Sequence, residues 1–295
     1  MRALDKFYVN RRFMNQRHVL FSGLTIVAGA FAVPPLWALI TSGRTDYYSH
    51  IVLIPVVSAY FFWVDRKKIV ANPEPATGLG GVLMALGALL YLLARYCKVG
   101  LGENDYASLT TFSALCFWEG SFVLLYGLKS FRTALFPLLF LLFAVPLPWW
   151  LMERVIYMLQ VASTEVVYWL FLLTDTPFER NGFLFYLPGV TIEVAQQCSG
   201  IRSSMALFIT GVLAGHLFLD RGWKTLVLFA VTFPITVFKN AIRIMTLTFL
   251  AMYVDMRFLT GGFLHQSGGF LFYIPALGLL GVAIWLLRRV GAKDR

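Results

Sequence analysis

Residues 78–94 read Gly-Leu-Gly-Gly-Val-Leu-Met-Ala-Leu-Gly-Ala-Leu-Leu-Tyr-Leu-Leu-Ala, an apolar stretch without a charge that ends at Arg95. An α-helix needs about 20 predominantly apolar residues to cross the roughly 30 Å hydrocarbon layer of a bilayer. The stretch therefore predicts a transmembrane helix over 78–95. Comparable stretches recur along the whole sequence, near 19–40, 47–64, 108–128, 133–150, 201–219, 225–250 and 268–287.

The composition is that of a membrane protein. Hydrophobic residues make up 59% of the chain and charged residues 14%, whereas soluble domains are about half apolar and a quarter charged. We predict an all-α polytopic membrane protein that forms a single integral membrane domain over 1–295, with its transmembrane core over 19–288. The cysteines Cys97, Cys116 and Cys198 lack metal-ligand spacing, and no metal or cofactor is expected.

The net charge of +10 comes from basic residues in short segments between apolar stretches, not from one patch. This pattern does not indicate nucleic-acid binding and is typical of positive-inside topology. Most of the 25 Lys and Arg residues fall on one side if the chain crosses about eight times and both termini are cytoplasmic. We therefore predict a multi-pass protein of the cytoplasmic membrane.

The apolar stretch 151–173 is ambiguous. It contains Glu153, Arg154, Gln160, Thr164 and Glu165, several of them at helical spacing on one face, which favours a helix lying in the interface. A crossing there would also move the basic C-terminal tail to the other side of the membrane. The segment 151–200 is then an outer-face segment, in which Asn181-Gly182 predicts a small extended hairpin.

The N-terminal stretch allows two interpretations. Ala30-Phe31-Ala32 resembles a signal-peptidase site, so a cleaved signal is one of them. The apolar stretch continues through Pro34-Pro35 to Ile40, longer than a typical signal core, so we favour an uncleaved anchor.

Cys198 lies in the run Glu193-Val-Ala-Gln-Gln-Cys-Ser-Gly-Ile-Arg202, directly before the crossing 201–219. The free backbone N–H groups and the dipole at a helix N-terminus favour an anion, which lowers the pKa of a thiol. Cys198 is therefore a candidate nucleophile. A small residue packed at a helix turn is the structural alternative.

The crossing 225–250 carries charge deep in an apolar helix. Lys239 and Arg243 are four residues apart and share a face, and Asn240 lies beside them. Charged groups inside membrane helices are costly and usually mark function or a partner. The alternative is that both side chains snorkel toward the lipid headgroups.

His265 lies in Gly261-Gly-Phe-Leu-His-Gln-Ser-Gly-Gly269, a segment predicted as a loop before the last crossing. At that end of the helix it matches the predicted depth of Cys198 and Arg243, and an imidazole beside a thiol generates a thiolate. His50, at the start of the crossing 47–64, is the rival base or a group that orients the substrate. These groups predict an acyl-transfer site in which Arg243 stabilises an oxyanion.

In these residues the sequence resembles the exosortase/archaeosortase family of membrane-embedded cysteine transpeptidases. The resemblance runs from about residue 40 to 288 and rests on the order of several short motifs. These are Asp46-Tyr-Tyr-Ser-His50 with Ile-Val-Leu-Ile-Pro55, Phe143-Ala-Val-Pro-Leu-Pro148, Gln197-Cys-Ser-Gly-Ile-Arg-Ser203, Asn240-Ala-Ile-Arg243, and His265 with Gly268-Gly269.

The resemblance implies an eight-helix enzyme that acts on secreted proteins with a C-terminal sorting signal, made of a Pro-Glu-Pro-like motif, a transmembrane helix and a basic cluster. It implies Cys198 as nucleophile, Arg243 as transition-state group and His265 as base, at the outer face of the membrane. The acyl group would pass to an unidentified acceptor or to water. The candidate supporting or substrate-binding residues are His50, Asn240, Lys239, Gln197 and Ser199.

Two other functions remain open. A transporter or flippase would use Lys239, Arg243 and Glu119 to line a polar path, and its thiol would be dispensable. A non-catalytic scaffold would hold a partner helix through small-residue faces such as that of Gly78, Gly80, Gly81 and Gly87.

Overall fold

The computed structural model describes residues 2–42, 48–71, 73–195, 201–260 and 263–290. Side chains are described for these residues except 2–13, 98–99, 201–202, 260 and 263–270. Within this part the chain forms ten α-helices and a small sheet. The helices are α1 (Arg2–Thr41), α2 (Leu53–Ile69), α3 (Thr77–Tyr96), α4 (Glu103–Thr133), α5 (Leu135–Phe140), α6 (Trp149–Leu173), α7 (Ile201–Phe218), α8 (Gly222–Tyr253), α9 (Arg257–Thr260) and α10 (Phe263–Arg289).

Six of the described helices contain a segment that is long and apolar enough to cross a membrane. Together with the predominance of helix, they confirm the predicted all-α polytopic membrane fold. Helices α2 and α7 have only 17 and 18 residues, so the number of eight crossings stays a prediction. The six segments are Met14–Thr41, Thr77–Tyr96, Glu103–Thr133, Trp149–Leu173, Gly222–Tyr253 and Leu271–Arg289.

Contacts within the chain cluster in two compact units, Met1–Trp149 and Trp150–Arg295. The first unit contains α1 to α5, and the second contains α6 to α10 with the sheet. The single membrane domain expected from the sequence stays a prediction.

Glycines bring the backbones of α3 and α4 into close approach in the first unit. A Cβ atom on Gly80 would lie 2.4 Å from the backbone nitrogen of Leu124, and one on Gly87 would lie 2.5 Å from that of Phe117. These two glycines of the predicted small-residue face therefore pack against a helix of the same chain. The part of this face around Gly80 and Gly87 is therefore not available to a partner helix.

The continuous helix predicted over 133–150 is wrong. Helix α5 ends at Phe140, a 3₁₀ turn covers Leu141–Ala144, and the chain is non-helical from there to Trp149. Pro146 and Pro148 explain the break, because proline has no backbone N–H and disfavours a helical conformation of the residue before it.

Asn104 ties the end of this segment to the first turn of α4. Its Nδ2 donates a hydrogen bond to the carbonyl of Leu147 at 2.8 Å, and its Oδ1 accepts one from the Tyr48 hydroxyl at 2.6 Å. The neighbouring Asp105 carboxylate accepts the backbone N–H of Trp149 at 2.6 Å. The chain therefore returns, after α4 and α5, to the level at which α4 begins.

The second unit contains a three-stranded antiparallel sheet, β1 (Glu179–Asn181), β2 (Leu184–Leu187) and β3 (Val190–Glu193), in that order. Glycines at positive φ make both turns, Gly182 at 61° and Gly189 at 79°, because a residue without a Cβ adopts this conformation at little cost. The hairpin predicted at Asn181-Gly182 is confirmed.

The sheet packs on α6 and α8 through a buried apolar cluster. Phe185 of β2 is fully buried and its ring lies 5.6 Å, centroid to centroid, from that of Phe171 in α6. Ala241 and Ile244 of α8 belong to the same cluster. Burial of aromatic and aliphatic area is the main force that fixes this sheet, which is too small to be stable by itself.

The polar residues of α6, several of which were predicted to lie on one face, divide by charge. Gln160 and Thr164 are buried, whereas Glu153, Arg154 and Glu165 are exposed. The neutral side chains thus face the protein and only the charged ones face outward. Because α6 is also long and apolar enough to cross a membrane, its position along the membrane surface stays a prediction.

Helices α7 and α8 form an antiparallel hairpin. Thr232 faces Gly211, and nearer the turn Thr225 faces Gly215. At the turn, Lys224 is buried and its ammonium donates to the Asp220 carboxylate at 2.9 Å. That hydrogen bond is the largest cause that lowers the pKa of Asp220.

Candidate active site

The polar turn of α8 predicted from the sequence is present and lies inside the protein. Lys239 is 5% exposed and Asn240 is 1% exposed. An ammonium group at this burial needs a hydrogen-bond acceptor, since an uncompensated buried charge costs several kcal/mol. Lys239 does not snorkel: its Nζ donates to the hydroxyl of Ser203 in the first turn of α7.

Asn240 connects the same turn to α6. Its Nδ2 donates to the Ser163 hydroxyl at 3.0 Å, and both residues are buried. Its Oδ1 has no hydrogen-bond partner among the residues that the structure describes. A buried amide oxygen can therefore still accept a hydrogen bond at this position, where polar groups are normally satisfied.

Arg243 lies one helical turn after Lys239 and is half-buried. It lines a cavity of about 40 Å³, which has room for water but not for a peptide. Glu193 at the end of β3 and Thr248 of α8 line the same cavity. Arg243 therefore adjoins the strand that leads to the run containing Cys198.

The chain is anchored by buried polar groups shortly before and shortly after Cys198. Four residues before it, the backbone carbonyl of Val194 accepts a hydrogen bond from the Gln160 amide at 2.7 Å. Five residues after it, Ser203 accepts the hydrogen bond from Lys239. Cys198 itself, with Gln197 and Ser199, lies outside the described residues.

His265 is in the first turn of α10, because that helix begins at Phe263. The prediction of a loop histidine before the helix is therefore corrected, and the side chain of His265 lies outside those described. The Thr210 hydroxyl of α7 lies 2.9 Å from the Tyr273 hydroxyl of α10. At 1.5 Å per residue, the backbones of Ser203 and His265 lie about 10 and 12 Å from that pair, each toward its helix start.

His50 and Glu119 belong to the first unit, whereas Lys239, Asn240 and Arg243 belong to the second. His50 precedes α2, and the carbonyl of Phe143 accepts its side-chain hydrogen bond. Glu119 is half-buried in α4. Among the described residues its Oε1 has no hydrogen-bond partner.

Ser203 and Ser163 had no role in the predictions from the sequence, and Gln160 was predicted only as a polar residue of a helix in the interface. Ser203 lies in the run that contains Cys198, so its position in the sequence could have identified it as a candidate site residue. Ser163 and Gln160 sit on an apolar helix at helical spacing. A neutral polar side chain can be buried once it is hydrogen-bonded, whereas a charged one is costly to bury, and this difference is the signal that could have identified them.

Comparison with known protein families shows what the chain is similar to. A family model described as transmembrane exosortase matches residues 41–282. The matched range includes α2 to α9 and most of α10. No curated protein and no solved structure matches the chain.

Proposed function

The chain belongs to the transmembrane exosortase family, and from this membership we propose that Cys198 is the nucleophile of a cysteine transpeptidase. Its substrates are secreted proteins with a C-terminal signal of a Pro-Glu-Pro-like motif, a transmembrane helix and a basic cluster. The enzyme cuts the peptide near the motif and passes the acyl group to an acceptor or to water.

The anchoring of both flanks of Cys198 beside one turn of α8 carries this proposal. The upstream flank reaches Glu193, which lines the cavity of Arg243. The downstream flank reaches Ser203, which accepts the Lys239 hydrogen bond one turn away from Arg243. Cys198 is four residues from Val194 and five residues from Ser203, and an extended chain covers at most about 3.6 Å per residue. These limits keep Cys198 within about 14 Å of Val194 and about 18 Å of Ser203 along the chain, and from them we infer that the thiol lies in the same region as the two cationic side chains.

In the proposed reaction the Cys198 thiolate attacks the scissile carbonyl carbon and forms a tetrahedral oxyanion that Arg243 stabilises. His265 accepts the thiol proton and donates it to the leaving amine as the C–N bond breaks. The acceptor amine, hydroxyl or water then attacks the thioester, and the thiol is released. Lys239 favours the thiolate through its positive charge.

The length of α8 supports a site near a membrane interface. Arg243 follows Gly222 by 21 residues, about 32 Å of helix, which is close to the thickness of the hydrocarbon layer. If the basic end at Arg221 and Lys224 is cytoplasmic, the site lies at the outer face. An anchored substrate helix would then present its scissile bond at that depth.

The test is co-expression with an epitope-tagged substrate that ends in the three-part signal. We expect the wild-type protein to shorten the tagged substrate and Cys198→Ala to abolish the shift at an unchanged membrane level. Cys116→Ala, a change of a half-buried cysteine in α4, is the matched control and should process normally. Processing that persists in Cys198→Ala would leave the transporter or the scaffold as the better hypothesis.

A further inference from the structure

The first unit contains a long apolar groove between α1, α2, α4 and the end of the segment that follows α5. Its volume is about 620 Å³, within the range of ligand-binding pockets. Along α1 the lining runs from His18 to Leu36. Apolar side chains such as Phe21, Phe62 and Trp118 form most of its walls.

The dimensions of the groove restrict what it can hold. From His18 to Leu36 the helix rises about 27 Å at 1.5 Å per residue. Spread over that length, 620 Å³ corresponds to a mean cross-section of roughly 23 Å² for atom centres. Adding about 1.4 Å on each side gives a free width of about 8 Å. A helix with side chains is about 10–12 Å wide and would not fit. An extended hydrocarbon chain fits, because carbon atoms in contact are separated by about 3.5–4.0 Å.

One end of the groove is basic and the other is apolar. Arg66, in the last turn of α2, lines the groove, and its guanidinium lies 3.9 Å above the Trp63 ring. Ile69 of the same turn belongs to the apolar cluster on which Phe21 of α1 packs, so this turn lies at the His18 end of the groove. Lys67 and Lys68 follow it in the same turn. At the opposite end the lining residues are Leu36, Pro55 and Val145.

We propose that the groove binds one acyl chain of a phospholipid from the leaflet at the basic end. The chain lies along α1, and the phosphate lies beside Arg66, where a guanidinium recognises phosphate oxygens. Apolar burial supplies most of the affinity, and the basic turn selects anionic headgroups. This site does not depend on the chemistry at Cys198.

Two glycines of α1 provide a matched test. A Cβ at Gly29 or at Gly23 meets no atom within 4 Å, but only Gly29 lines the groove. The full-length protein is incubated with phosphatidylglycerol in detergent, and retained lipid is counted by native mass spectrometry. We expect one bound lipid in the wild type and in Gly23→Phe. Gly29→Phe should lower the affinity about tenfold or more, because even two displaced methylene groups have that effect.

Ala59 tests the opposite wall, since it also lines the groove. Ala59→Phe should reduce retention as Gly29→Phe does, which guards against a folding defect of one variant. Added phosphatidylglycerol should raise the melting temperature of the wild type and of Gly23→Phe only. Wild-type retention in both groove variants, or an equal loss in Gly23→Phe, would overturn the proposal.

Headgroup selection is tested by replacing Arg66. Arg66→Gln should lower the preference for phosphatidylglycerol over phosphatidylcholine about fivefold and still retain a lipid. Lys67→Gln, next to it but not in the lining, should change the preference less. An unchanged preference in Arg66→Gln would contradict the position assigned to the phosphate.

Discussion

The ammonium of Lys239 donates a hydrogen bond to the hydroxyl of Ser203, a residue 36 positions earlier in the chain. This contact fastens the first turn of α7 to the middle of α8. Lys239 is buried and Ser203 is half-buried, and a hydrogen bond in such a low-dielectric environment is electrostatically stronger than in water. The contact therefore links the run that contains Cys198 to the turn that contains Arg243.

Removing this contact should impair the reactivity of Cys198. We expect Lys239→Gln and Ser203→Ala to slow substrate processing about tenfold to a hundredfold, because small displacements of reacting groups have effects of that size. The rate at which iodoacetamide alkylates Cys198 should also shift to higher pH in Lys239→Gln, because the nearby positive charge favours the thiolate.

The conservative variants Lys239→Arg and Ser203→Thr keep a cation and a hydroxyl, and they should recover most of the processing. A Lys239→Gln variant with an unchanged pH profile of alkylation would mean that Lys239 has only a packing role.

Arg243 is expected to stabilise the oxyanion. Arg243→Gln should lower kcat about 10²–10³-fold with a smaller change in KM, as loss of one oxyanion donor does in other enzymes. Arg257→Gln is the control, because that side chain is 89% exposed and outside the cavity. Equal rates for Arg243→Gln and the wild type would remove this residue from the mechanism.

The two candidate bases can be separated. His265→Ala should reduce processing about 10²–10⁴-fold, the usual contribution of a general base. His50→Ala should reduce it less, because we assign His50 to orientation of the substrate and not to proton transfer. If both variants show the same mild loss, His265 is not the base.

Adjacent glycines in α3 should respond to alanine in opposite directions. Gly80→Ala brings a Cβ to 2.4 Å from the Leu124 backbone, and overpacking of this kind costs about 1–3 kcal/mol. Gly81→Ala meets open space, so it should stabilise the helix by about 0.5–1 kcal/mol. Thermal unfolding in detergent measures both. A lower melting temperature for Gly81→Ala would contradict the packing described for α3 and α4.

The sequence predicted helices best where an apolar stretch has clear ends. The helix predicted over 78–95 is confirmed as α3, Thr77–Tyr96. Its ends were predictable because charged and turn-forming residues flank the apolar stretch on both sides. Hydropathy predicted a helix over 133–150, but a hydropathy average takes no account of Pro146 and Pro148, which end the helix before residue 150. In the crossing predicted over 47–64 the helix starts later, at Leu53, because the apolar residues Ile51 and Val52 belong to a turn.

For the candidate site, local sequence predicted the groups that need partners but not the partners. Lys239 and Asn240 were conspicuous because polar groups are rare in an apolar helix. Their acceptors, Ser203 and Ser163, come from 36 and 77 positions away. Only tertiary packing brings such distant residues together, so no periodicity could have identified them.

Helix α8 continues for ten residues beyond Arg243, about 15 Å of additional helix. The apolar side chains in these ten residues pack against the sheet and α6, so their burial does not depend on lipid alone. Hydrophobic mismatch normally makes a long helix tilt or deform the bilayer. Here the sheet and α6 cover the end of α8, so the extra length of this helix does not by itself create a hydrophobic mismatch that α8 must relieve by tilting.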